Sequence, residues 1–260
     1  MDLKLKDKAV VITGGLSGIG GGITLSLAKE GAVPLVVSRS AHPEFEAELQ
    51  KITKNYRIYL YNLRDYANIP SLSKDILSNH PNIYALVNNA GANDNLDIES
   101  TPVDKFIQSY ENNLFHYYEL TRQLLDSIKH NQGNILNIVS KTGVTGQGKT
   151  SAYASAKAAQ MGLTREWACA FAKDNVRVNA IAPAEVMTPL YGKWLQNFKD
   201  PKAQYESIAS KIPLGKRFTS IEEIADFATF IISPKSSHTT GQVFFIDGGY
   251  VHLDRALNWE

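Results

Sequence analysis

Tyr153-Ala154-Ser155-Ala156-Lys157 sets a phenol and an ammonium four residues apart. On a helix such positions are stacked neighbours, so the two groups would share a face. A phenol, with an ordinary pKa of about 10, is a poor base at neutral pH, but nearby positive charge favours its phenolate. Tyr153 is thereby a candidate general base for taking a hydroxyl proton. Taken alone the pattern is common on surfaces, so its weight rests on what accompanies it. Ser140 ends an apolar run upstream and offers a hydroxyl to the reacting oxygen from the opposite side. Asn113 lies in a stretch of helical pattern, 110–125, and its amide could bridge backbone and water in a proton relay beside Lys157. A structural hydrogen bond is the competing role for Asn113, as it is for Asn89 in Asn88-Asn89-Ala90-Gly91.

A second chemistry is written in Thr13-Gly14-Gly15-Leu16-Ser17-Gly18-Ile19-Gly20. Glycine lets a backbone turn sharply and approach a pyrophosphate with no Cβ in the way. The helix start that follows offers unpaired N–H groups and the positive end of a dipole. The spacing is Gly-x-x-x-Gly-x-Gly rather than Gly-x-Gly-x-x-Gly, so its position after the first strand carries the argument. Gly21 and Gly22 are expected to serve helix packing. Past the second strand stand Ser38 and Arg39 where a carboxylate would bind a ribose 2′-hydroxyl. A guanidinium fork suits a 2′-phosphate instead, which points to NADP, with NAD possible; a solvated surface arginine is the alternative.

The elements that must position these groups follow from periodicity. Apolar runs at 9–13, 35–37, 57–61, 83–87, 134–140, 176–181 and 243–246 alternate with helical patterns at 19–30, 110–125, 151–173 and 221–232. Such alternation predicts an α/β fold: one doubly wound parallel sheet, helices on both faces, a single domain over 1–260. Residues 1–188 would carry most of cofactor binding and catalysis, and 189–212, rich in aromatics and lysine, would form a substrate flap. The 260 residues are 43% apolar, and 27 basic against 26 acidic residues leave a net charge of +1. That balance offers no field for nucleic acid. No apolar stretch is long enough for a membrane span, and one cysteine, Cys169, permits no internal disulfide. No metal site is expected. A soluble, reducing, cytoplasmic setting is the expectation.

Together these motifs resemble the classical short-chain dehydrogenase/reductase family over essentially the whole chain, through to Asp247-Gly248-Gly249. The resemblance implies a Rossmann-type sheet, Tyr153 as acid/base, Lys157 as ribose anchor and pKa depressor, and Ser140 as positioner of the substrate oxygen. Asn113 would hold a relay water. Cofactor contacts are implied at Gly14, Ser17, Gly18, Ile19 and Gly20, and at Ser38, Arg39, Asn62, Leu63, Asn89, Ala90 and Gly91. Tyr153, Lys157, Pro183, Val186 and Thr188 complete that set. Two departures stand out: Pro183-Ala184 replaces a usual Pro-Gly, and Asn62-Leu63 stands where an acidic residue usually faces adenine. Asn62 could still accept from the adenine amino group through its carbonyl.

The segments 140–148, 183–191 and 249–256 are further similar to bacterial L-fucose dehydrogenases within the family. That likeness implies oxidation of the anomeric carbon of L-fucose, or a related aldose, to its lactone. Candidates to hold a sugar are Asn93, Asp94, Lys141, Gln147, Glu185, Met187, Tyr191 and Trp194. Glu185 could accept from two vicinal hydroxyls, with a surface ion pair to a lysine as the alternative. Another reading is an NADPH-dependent reductase of a polar carbonyl such as a deoxy-keto-uronate, whose carboxylate Lys141 and Arg217 would suit. A dinucleotide-sensing protein without turnover would commonly lack the tyrosine or lysine. Family likeness also implies a homotetramer assembled partly through the long catalytic helices. The tail 250–260 would then reach a neighbour, with His252 or Arg255 near its pocket.

Overall fold

β-Branched and aliphatic runs occupy the middle of the molecule, and amphipathic segments wrap them. The computed structural model describes residues 1–254. Seven strands, β1 (Ala9–Thr13), β2 (Val33–Ser38), β3 (Arg57–Leu60), β4 (Ile83–Asn88), β5 (Asn134–Ile138), β6 (Arg177–Pro183) and β7 (Val243–Ile246), form one sheet. Their order is β3-β2-β1-β4-β5-β6-β7 and every pairing is parallel. All strand ends therefore open on one rim. The order reverses between β1 and β4, and such switch points are where open α/β sheets bind ligands.

Alternation along the strands sorts the core into two layers. Val11 of β1 packs with Leu120, Leu124 and Trp167 of α5 (His116–His130) and α6 (Ser151–Phe171). Val10 and Ile12 point the other way, against Ile23 and Leu27 of α1 (Gly18–Lys29) and Ile224 and Ala228. Burying each such Leu or Ile side chain contributes about 1.5–3 kcal/mol. The helix α6 that carries Tyr153 and Lys157 is thus pinned to the sheet by its own apolar face.

Several elements differ from the reading of the sequence. The patterns at 43–52 and 69–79 are helices, α2 (Pro43–Ile52) and α3 (Ile69–Asn79), each opened by a proline in its first turn. The single helix expected at 110–125 is three pieces: α4 (Val103–Tyr110), a π turn at Glu111–Phe115, and α5. The expected flap holds two helices, α7 (Pro189–Leu195) and α8 (Pro201–Ala209), followed by the predicted α9 (Ile221–Ile232). The strand expected to reach Ser140 stops at Ile138, which leaves Ser140 beyond the ladder, capping a 3-10 turn at Lys141–Gly143. Among the described residues no helix is long and apolar enough to cross a membrane. Arg255 and the rest of the expected tail lie outside the described residues, and His252 packs edge-on against Phe245 of the same chain, at 4.6 Å.

Candidate active site

The loop after β1 is tied to the end of β4. The Asn89 side-chain amide donates to the Thr13 carbonyl at 2.9 Å, and the Thr13 hydroxyl accepts from Asn89 N at 2.8 Å and Ala90 N at 3.0 Å. Asn89 thus serves the structure of the switch point directly. Gly14 and Gly18 adopt φ of +66° and +54°, a region costly for other residues. A Cβ on Gly20 would stand 2.4 Å from both the Gly14 carbonyl and the Asn89 amide. The bare backbone and the start of α1, with Ser17 extended at its N-cap, form a cradle that fits a pyrophosphate. Gly22 abuts Ile221 of α9, where a Cβ would meet it at 2.3 Å, so packing explains this glycine as expected. Across the cradle Thr188 caps α7, accepting from Tyr191 N at 3.1 Å, and a Cβ on Gly18 would touch its methyl at 3.5 Å. The loops after β1 and β6 therefore face each other.

Around the rim, Arg39 is exposed just past β2, and the Ser38 hydroxyl donates to the Ser40 carbonyl at 3.0 Å. Asn62 is exposed, its side-chain oxygen accepting from Arg64 N at 3.3 Å, while Leu63 is buried in the core. The Leu63 side chain is thus core packing, and only its backbone could face a ligand. Val186 is buried and bridges to Thr219, and Ala184 keeps clear of positive φ, so the missing glycine after Pro183 carries no strain.

Ser140 and Tyr153 are neighbours, with the serine hydroxyl near enough to pull the phenol's pKa down. Thr142 orients that serine, its N–H and hydroxyl donating to Ser140 Oγ at 3.2 Å and 3.0 Å. Lys157 is buried, its Nζ 5.6 Å from the Tyr153 ring centre and donating to the Ile138 carbonyl at 2.9 Å. Burial pushes the Tyr153 phenol up to about 12, against the pull of Ser140 and with help from the Asp94 carboxylate. Burial likewise pushes the Lys157 amine down to about 7. Desolvation is the largest influence on the Tyr153 phenol at this geometry, while the Lys157 amine donates to the Ile138 carbonyl.

Asn113 sits in the π turn, fully buried. Its side chain accepts from Ala92 N at 3.0 Å and donates to Ala92 O at 3.1 Å and Ser109 O at 2.9 Å. Its own carbonyl accepts from the Gln160 side chain. These bonds lock the residue onto the loop after β4. Gly91 makes this possible, since a Cβ there would come within 2.6 Å of Asn113 Oδ1.

The opposite wall gathers Lys141, Glu185 and Tyr191. Lys141 Nζ pairs with one Glu185 oxygen, Tyr191 Oη donates to the other at 2.7 Å, and Lys141 Nζ lies 3.9 Å over the Tyr250 ring. Both Glu185 oxygens have protein partners, so the ion pair to a lysine weighed as the alternative is present. Tyr191 stacks edge-on with Trp194 and with Phe218, each at 5.1 Å. Asp94 keeps a buried carboxylate oxygen without a protein partner, whereas Asn93 accepts from Asn95 N at 3.1 Å. Gln147 is exposed and Met187 is 39% exposed on the rim.

The Enoyl-(Acyl carrier protein) reductase family model matches residues 14–251. The 3-oxoacyl-[acyl-carrier-protein] reductase FabG of Thermotoga maritima is 33% identical over 252 residues, 96% of this chain and 100% of that protein. This chain belongs to the short-chain dehydrogenase/reductase family. Among solved structures, Cj0485 dehydrogenase is 65% identical with a TM-score of 0.97, covering 100% of both chains. The L-sorbose reductase of Gluconobacter frateurii, crystallised with NADPH and L-sorbose, is 29% identical with a TM-score of 0.92, over 98% of this chain and 100% of its own. As a family member the chain is an NAD(P)-dependent oxidoreductase acting on CH–OH groups. Thr13, Tyr117, Gln160 and Tyr250 were not singled out by sequence reasoning, though each touches a site residue. Thr13 carried a signal, as a polar residue closing an apolar strand; the others depend on the π turn and on contacts across the sheet.

Proposed function

We propose that this dehydrogenase oxidises the anomeric carbon of L-fucose, or a closely related aldose, to the lactone, with NADP preferred. The observation that carries the reading is the Ser140 hydroxyl beside the half-buried Tyr153 phenol, with Lys157 one turn along the same helix and the glycine cradle at the end of β1. When bound, the oxidised cofactor supplies a hydride acceptor at nicotinamide C4 and a positive ring. The cradle bared at Gly14, Gly18 and Gly20 fits its pyrophosphate, and exposed Arg39 suits a 2′-phosphate.

Ser140 and Tyr153 hold the anomeric oxygen between them. Tyr153, as phenolate, takes the hydroxyl proton while the C1–H bond gives up its hydride, and the C1–O bond becomes the lactone carbonyl. Added positive charge in the crevice is what brings a phenol near 12 towards service at neutral pH. Asp94, with one oxygen unclaimed and buried, is placed to accept from a ring hydroxyl. Trp194 and Met187 offer apolar surface to a methyl group.

The wall chemistry favours a neutral sugar over a keto-uronate. Lys141 is neutralised by Glu185, and Arg217 is held by Glu223 at 2.6 Å, so both cations that would meet a substrate carboxylate already carry one. A homotetramer accords with the exposed Val103, Ile107 and Tyr118 along α4 and α5. Steady-state assays of L-fucose, L-galactose, D-arabinose and keto-uronates with NADP and NAD test the reading. Turnover of L-fucose with NADP preferred is expected; inactivity on every free aldose would overturn it.

A further inference from the structure

Behind Tyr153 the Lys157 amine enters a second, wholly buried polar pocket. Its Nζ lies 3.5 Å from the Tyr117 hydroxyl and 5.3 Å from the centre of that ring. Tyr117 Oη donates in turn to the Ile138 carbonyl at 3.2 Å, the same oxygen that accepts from Lys157 at 2.9 Å. Lysine, phenol and carbonyl therefore close a triangle beneath the Tyr153 ring. We propose that Tyr117 is a positioning residue: its hydroxyl and the Ile138 carbonyl form the seat that holds the Lys157 amine charged and aimed at the crevice.

An ammonium has three protons to donate and costs most where they find no acceptor. The neighbourhood is poor in acceptors. Among the described residues no carboxylate pairs with Lys157. The nearest titratable groups are Tyr153 on α6, with Asp94 acting on that phenol from the β4 loop, and His116 and Tyr117 on α5. His116 is held neutral, pushed down to about 4 by burial, with the Lys157 charge adding to the fall. Of the other polar neighbours, Asn113 has its side chain and carbonyl engaged elsewhere, and Gln160 beside Tyr117 gives its amide N–H to that carbonyl. Tyr117 is fully buried, and burial raises its phenol well above the usual range, so it remains a neutral hydroxyl with a lone pair for Lys157. With Tyr117 and Ile138 taking two protons, the third is left for the crevice.

The seat rests on the proton-handling role given to Lys157 above, so its test is read first without substrate or cofactor. Protein carrying 13C-labelled lysine is titrated by NMR, and the Lys157 signal is identified by its loss in Lys157→Met. Wild type should titrate near 7. Tyr117→Phe, which removes one oxygen, should lower that midpoint by about 0.5–1 pH unit. The low-pH limb of kcat/KM for sugar oxidation should move up, because less ammonium remains to favour the Tyr153 phenolate. Tyr59→Phe, which deletes another buried phenol oxygen far from Lys157, should change neither. An unchanged Lys157 midpoint in folded Tyr117→Phe, or in Tyr117→Met should the first not fold, would overturn the seat. A shifted midpoint with no sugar oxidised by wild type would leave the seat standing and overturn the proposed function instead.

Discussion

Two lysines of this chain are taken almost wholly out of water, on opposite sides of one crevice, and they are treated in opposite ways. Lys141 is met by the Glu185 carboxylate and the face of Tyr250. Lys157 donates to a carbonyl and a phenol, with no carboxylate partner among the described residues, and burial drives its pKa down to about 7. A buried charge with a counter-charge is fixed; one with neutral acceptors stays close to giving up its proton. The first arrangement builds a wall and the second serves proton chemistry.

The contrast is sharpest in two substitutions that should move stability in opposite directions. Lys157→Met should lower kcat/KM for sugar oxidation by about 10³-fold, while removing a poorly solvated amine raises Tm by about 2–4 °C. The pH dependence has a definite sign. The unfolded chain holds the lysine proton up to its ordinary pKa, whereas the folded protein releases it near 7. Wild type therefore gains stability as pH rises from about 7 towards the ordinary lysine value, and the methionine variant should lack that gain when melts are compared across the window. Glu185→Gln should instead strand Lys141 unpaired and cost about 3–5 kcal/mol in chemical denaturation. It should also raise KM for the sugar more than it lowers kcat, since the wall holds substrate without handling its proton. Equal stability changes for the two variants would break the contrast.

Much of this was legible in the sequence, and the reasons differ by region. The strand β1, the glycine turn and the start of α6 follow from local patterns, because burial on both faces demands continuous apolar runs and a cradle demands glycine. Ser140 and Tyr153 could be paired by spacing along the chain. The π turn at Glu111–Phe115 could not be read, since it depends on Asn113 reaching across to Ala92. A lysine partner for Glu185 could be weighed from the sequence, but which lysine, and the added Tyr191 hydroxyl, could not, since Lys141 follows β5 and Tyr191 lies in α7. The helix α2 buries only Leu49, so its pattern was faint, whereas α3 buries Ile69, Leu72, Ser73 and Ile76 at helical spacing and its signal was legible but not used.

Smaller effects lie farther from the two lysines. Arg39→Ala should weaken NADP binding about tenfold and leave NAD nearly unchanged, read by fluorescence titration with each cofactor. Equal losses would remove the phosphate argument. Glu223→Gln should be milder still, lowering Tm by only a degree or so. Its pairing with Arg217 is exposed, and glutamine keeps an acceptor for Ser220 N in the capping box, so what it chiefly loses is negative charge at the start of α9.

The account stands on Tyr153 as the proton acceptor, and Tyr153→Phe addresses it most directly. Titrated with NADP and assayed with L-fucose across pH 6–10, the variant should bind cofactor within about twofold of wild type and lose turnover by at least about 10³-fold at every pH. Sugar oxidation persisting within tenfold of wild type, with the same pH profile, would contradict it.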